Sequence, residues 1–110
     1  MAMGKEIIYA KEVELFLNEL LLLLFEKGYF SYPENAKSYV DKIFTYVEKN
    51  IGMLSDRDAP SYFIKIAKNL KYITYRANKS TTWYVLYQQR GNLFLIRYIT
   101  NNHVAAQHFG

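Results

Sequence analysis

The chain has no cysteine, only two prolines and two histidines, and no acidic side chain after Asp58. Each shortage excludes something. Without cysteine there is no disulfide framework, thiol nucleophile or cysteine-held zinc or iron–sulfur site, which suits a reducing cytoplasm. With so little proline, and no repeats or low-complexity tracts, there is no linker, so the 110 residues read as one domain, 1–110. The longest apolar run, Leu20 to Phe25, falls far short of the ~20 residues that span a bilayer, and no secretory leader is visible, so no membrane association is expected. Apolar residues make up 51% of the sequence and aromatics 17%, too many for a disordered chain.

The missing acids make the charge lopsided. Residues 1–52 carry six lysines against eight acids, a net of −2, and residues 53–110 carry eight basic side chains against two aspartates, a net of +6. After Asp58 come Lys65, Lys68, Lys71, Arg76, Lys79, Arg90 and Arg97 with nothing to neutralise them. Such a half points to an anionic partner, nucleic acid or an acidic protein segment; a merely solvated basic surface is the plain alternative.

The periodicity changes along the chain. Glu6 to Tyr9 reads as an edge strand or the lead-in to a helix. From about Ala10 to Lys27, Val13, Phe16, Leu17, Leu20, Leu21, Leu24 and Phe25 form one helical stripe, ended by Gly28. Leu15, Leu22 and Leu23 lie off that stripe, so a second side of the helix is either covered by the chain itself or awaits a partner. A second helix is announced by Ser31, Pro33 and Glu34 in the pattern of a capping box, carries Ala36, Tyr39, Val40, Ile43, Phe44 and Val47 on one face, and stops at Gly52. Met53 to Pro60 is a polar loop, and Ser61 to Asn69 is a short helical turn or irregular. Then Lys71 to Ala77, Thr82 to Gln88 and Leu93 to Thr100 are rich in β-branched and aromatic residues and are separated by turn-forming stretches. The expectation is an α+β fold: an N-terminal helical hairpin packed on one face of a C-terminal antiparallel β-meander. Alternation places Phe94, Ile96 and Tyr98 toward the helices. Arg97 faces away with Tyr72, Thr74 and Arg76, on an exposed sheet face rimmed by the polar closing stretch and its histidines.

That order of elements, with Tyr75-Arg76-Ala77, the aromatic–aliphatic strand Trp83 to Tyr87, the Gly91-Asn92 turn, and Leu93 to Ile99 before a polar tail, resembles the RelE/ParE family of bacterial type II toxins. The resemblance implies a toxin neutralised by a cognate antitoxin. Its target is the ribosome and mRNA, as a ribosome-associated endoribonuclease, or DNA gyrase. A non-catalytic binding protein of the same fold is the alternative, and the oligomeric state is left open. The sequence departs from the family pattern where Lys71-Tyr72 stands near an expected arginine, and where the end reads His108-Phe109 without the phenolic hydroxyl of a His-Tyr pair.

Cleaving RNA through its 2′-hydroxyl requires a base, an acid for the leaving oxygen and positive charge at the phosphorus. Histidine titrates in the right range and arginine offers bidentate donors to phosphate. The expected catalytic set is His103, Arg76, Arg97 and His108, with Lys71, Tyr72, Lys79 and Arg90 as RNA contacts. Each has a plainer alternative: a turn or cap residue for His103, a frayed end for His108, snorkelling side chains for Arg76 and Arg97, and packing for the tyrosines. No cofactor is expected. The histidines are spaced i, i+5 with no acid nearby, which fits no usual metal-ligand pattern, so no metal site is expected either.

Overall fold

A computed structural model describes residues 4–26, 33–53 and 56–109. The expected Gly28 stop and the Ser31 cap lie outside the described residues. The fold is α+β: β1 (Glu6–Tyr9), α1 (Lys11–Glu26), α2 (Pro33–Asn50), β2 (Arg57–Asp58), a 3-10 turn (Ser61–Lys65), β3 (Lys71–Arg76), β4 (Thr82–Arg90), β5 (Leu93–Asn101) and α3 (Asn102–Phe109). The three expected strands form the centre of a five-stranded sheet with the order β1-β5-β4-β3-β2. The sheet is mixed rather than an antiparallel meander, because β1 pairs with β5 in parallel, Glu6 opposite Leu93 through Tyr9 opposite Ile96. A four-residue apolar strand names no partner in sequence, and this pairing is set by the crossover through the helical hairpin.

The hairpin covers one sheet face, as its stripes require. Val13, Leu17, Val40, Ile43, Val47 and Ile51 are buried against Ile73, Trp83, Val85, Tyr87, Phe94, Ile96 and Ile99. Each fully buried aliphatic of this set is worth roughly 1.5–3 kcal/mol. Trp83 Nε1 donates to the Tyr39 hydroxyl at 3.0 Å, which satisfies the indole inside the layer. Phe16, by contrast, lies on the flank of α1 and is partly exposed, while Leu15 and Leu22 are 54% and 61% exposed. Helix α2 ends at Gly52, with φ +85°, where the ring of Phe94 passes close over the backbone. The carboxylate of Asp56 then accepts hydrogen bonds from the Gly52 amide and the Tyr87 hydroxyl, fixing the loop to the sheet.

The opposite face is not the exposed surface that alternation suggested. The 3-10 turn and α3 cover much of it. Phe63, Leu70, Leu86 and Ala105 form a second small core, flanked by Tyr72, Tyr84 and Phe109. The closing stretch is therefore a helix rather than a polar tail. The Asn101 side chain caps it by accepting from the His103 amide at 2.9 Å.

Strand β5 also departs from strict alternation. Leu86 pairs with Tyr98 but Tyr87 pairs with Ile96, so Arg97 is an extra residue in a β-bulge. Beyond the bulge the faces exchange. Phe94 and Ile96 point to the hairpin as expected, but Ile99 takes the next inward position and Tyr98 turns to the other face, against Phe63.

Candidate nucleic-acid interface

Two groups of candidate residues emerge, at different places on the sheet. The first is a rim where β3 turns into β4 and β5 runs into α3. The 77–81 turn closes through Ala77 N donating to Thr81 O at 3.0 Å. Inside it the Asn78 side chain accepts from the amide and hydroxyl of Ser80, an arrangement that asparagine favours. Arg76, the last residue of β3, folds over this turn. Its Nε donates to Asn78 O at 3.2 Å and an Nη donates to Lys79 O at 3.1 Å, which commits two of its five N–H donors. The start of α3 is tied to the same turn. Asn102 accepts from Thr82 N at 2.8 Å and donates to Ser80 O at 3.0 Å, and His103 Nε2 lies 2.9 Å from the Thr81 hydroxyl. The rim thus brings Arg76, Lys79 and His103 together on an exposed, braced turn.

The second group lies on the covered face. Arg97, half-buried, donates to Gln88 Oε1 at 3.2 Å and Ile66 O at 3.4 Å, tying the residue after the 3-10 turn to the sheet. It stands four residues from Asn101, about 13 Å along the strand from the rim. His108 lies within α3 and stacks on Tyr62 with ring centroids 3.5 Å apart. Five residues separate it from His103, about 7.5 Å along the helix and some 140° around it, so the two histidines address different surroundings. Tyr72 packs against Phe109 and Tyr84.

The expected set of His103, Arg76, Arg97 and His108 is therefore divided between two places. Among the RNA contacts, Lys79 belongs to the rim and Tyr72 to the face. Lys71 is exposed opposite Asp58 of β2, and Arg90 is exposed at the far end of β4 beside the Gly91 turn. Sequence reasoning missed Tyr62, Tyr84 and Phe109, the rings that line the covered face. Their aromatic character was visible, but only the docking of α3 brings them together.

Among the described residues no group of three or more His, Asp or Glu side chains is placed to hold a metal ion. No described helix is long and apolar enough to cross a membrane. Burial raises two phenols above their ordinary range: Tyr9, where Glu48 adds to the effect, and Tyr87, where the hydrogen bond to Asp56 adds to it. Both belong to the hairpin side and neither to the rim. No family model matches this chain, and neither a curated protein nor a solved structure matches it.

Proposed function

We propose that this chain is a RelE/ParE-like toxin that acts on RNA in the cytoplasm, with the rim of Arg76, Lys79 and His103 as the surface that meets the phosphate backbone. The observation that carries this reading is the placement of those three side chains on one braced turn, in a half of the chain with no acid after Asp58. A basic, exposed and rigid edge attracts a polyanion and holds it in register. The helical hairpin followed by the sheet supports the resemblance at the level of element order.

In this reading Arg76 holds the scissile phosphate through the N–H donors its turn leaves over, and Lys79 adds positive charge beside it. His103 is the base that takes the proton of the attacking 2′-hydroxyl, with Thr81 beside its ring, and the leaving 5′-oxygen takes its proton from water. The exposed Leu15 and Leu22 on α1 supply an apolar surface for a cognate antitoxin.

A second reading is a non-catalytic binding protein, of gyrase-inhibitor type or otherwise. The observation favouring it is that Arg97 and His108 are engaged on the covered face and do not join His103.

Growth after tightly controlled induction separates the two. Arrest by the wild type with rapid loss of protein synthesis, relieved by His103→Ala and by Arg76→Lys in folded protein, is the expected result. Arrest that persists in both variants, with filamentation, overturns the RNA reading in favour of gyrase. The absence of arrest leaves the binding protein.

A further inference from the structure

The face away from the hairpin holds a slot between rings, filled by the end of the chain's own last helix. The Phe109 ring lies on Tyr84 with centroids 3.9 Å apart and planes 6° from parallel. Tyr72 closes the slot edge-on at 4.9 Å and Phe63 borders it at 5.1 Å. Two features set this apart from ordinary packing. Aromatic pairs in protein cores commonly meet edge-to-face or strongly offset, whereas the near-parallel Phe109–Tyr84 stack is how a nucleobase lies on a tyrosine. The slot is also carried by rigid strands, Tyr72 on β3 and Tyr84 on β4, while its occupant sits at the end of an eight-residue helix. The helix is held at its start by hydrogen bonds of Asn101 and Asn102 and, one residue before Phe109, by the His108 ring stacked on Tyr62.

The slot's setting is also basic. Lys65 lies over the ring of Tyr62 at 3.8 Å, and Arg97 is on the same face. On strand β3 the slot lies four residues from Arg76, about 13 Å, roughly two nucleotide steps along an extended strand.

We propose that the Tyr72–Tyr84 slot is a binding site for an unpaired nucleobase of single-stranded RNA, and that Phe109 occupies it in cis as a stand-in for that base. This rests on the RNA reading above and adds a second contact to it. The phosphate backbone is held at the rim, and one base nearby enters the slot as Phe109 leaves.

The test is a fluorescence-anisotropy titration of a labelled single-stranded RNA octamer against the full chain. The Phe109→Ala variant, with its fold checked by circular dichroism, is expected to bind about tenfold more tightly than the wild type, in line with the worth of one stacked base. The gain is expected to vanish when Tyr84→Ala is added, and to vanish for an octamer lacking bases. A second variant does not depend on the alanine folding well: Phe109→Trp keeps the slot filled, and its emission is expected to shift to the red at saturating RNA as the indole moves into water. Binding by Phe109→Ala no tighter than wild type, a gain that survives Tyr84→Ala, or an unchanged tryptophan emission each overturns the proposal. If the wild type binds RNA in those cases, the slot is a packed minicore and the RNA reading stands. If no form of the protein binds RNA, both fall together.

Discussion

At the scale of single residues, the positions that matter most to stability are those where geometry leaves one choice. Gly52 combines φ +85° with the Phe94 ring, whose Cζ lies 2.6 Å from where a Cβ would stand. Gly52→Ala is expected to cost about 3 kcal/mol, from backbone strain and overpacking together, and to lower the melting temperature by roughly 10 °C or more. Two buried phenols make a contrasting pair. Among the described residues the buried Tyr9 hydroxyl finds no hydrogen-bond partner, while the Tyr87 hydroxyl donates to Asp56. Tyr9→Phe should therefore leave stability unchanged or raise it, and Tyr87→Phe should lower it by about 1–2 kcal/mol, both read from urea denaturation. Both phenols hold their protons more tightly in the folded state than the ordinary value of 10.0. Above that pH the unfolded chain releases protons that the folded chain keeps, so folding stability falls as pH rises through and beyond 10. The Tyr9→Phe/Tyr87→Phe double variant should show a flatter loss in alkali. A loss as steep as the wild type's would mean other groups govern it.

At the scale of elements, the hairpin and the central strands were legible because their apolar residues repeat with the helical or the strand period over many positions. Val13 and Leu17, or Ile43 and Val47, declare a face without help from the rest of the chain. What escaped was set by partners distant in sequence or by a single irregularity. Strand β1 is too short to name its neighbour. The bulge at Arg97 moves Tyr98 across the sheet, and nothing in Leu93 to Thr100 distinguishes that strand from a regular one. Helix α3 looked polar because Asn101, Asn102 and His103 open it. Those side chains are its cap and its ties to the 77–81 turn, and the helix forms because Ala105 and Phe109 find the second core. The candidate site was legible in the same measure: Arg76 and His103 do share a rim, but Arg97 and His108 are placed by the bulge and the helix, which the sequence pattern did not reveal. Asn101→Ala should cost α3 about 1 kcal/mol. Amide exchange by NMR should then quicken in 102–109 and at Thr82 while the β4–β5 ladder stays protected; quickening throughout the sheet would contradict a local role for the cap.

At the scale of the whole molecule, the asymmetry of charge follows the architecture. The acidic half supplies the outer helical layer, and the basic half supplies the central strands, the 3-10 turn and α3. RNA approaching the rim should therefore be drawn by a field that salt weakens. If Arg76 and Lys79 each neutralise one phosphate, the logarithm of affinity should fall against the logarithm of salt with a slope of about −1.4, and Lys79→Ala should flatten it by about 0.7. A slope near zero would remove the electrostatic basis of the RNA reading. The parallel pairing of β1 with β5 has a different consequence, in time rather than in energy. Glu6 and Leu93 are neighbours in the sheet but 87 positions apart in the chain. At the usual pace of synthesis, β1 emerges from the ribosome roughly 4–17 s before its partner strand exists. For most of that interval α1, and then α2, lacks the central strands that cover its apolar face, and β5, the last of the five strands made, closes the core.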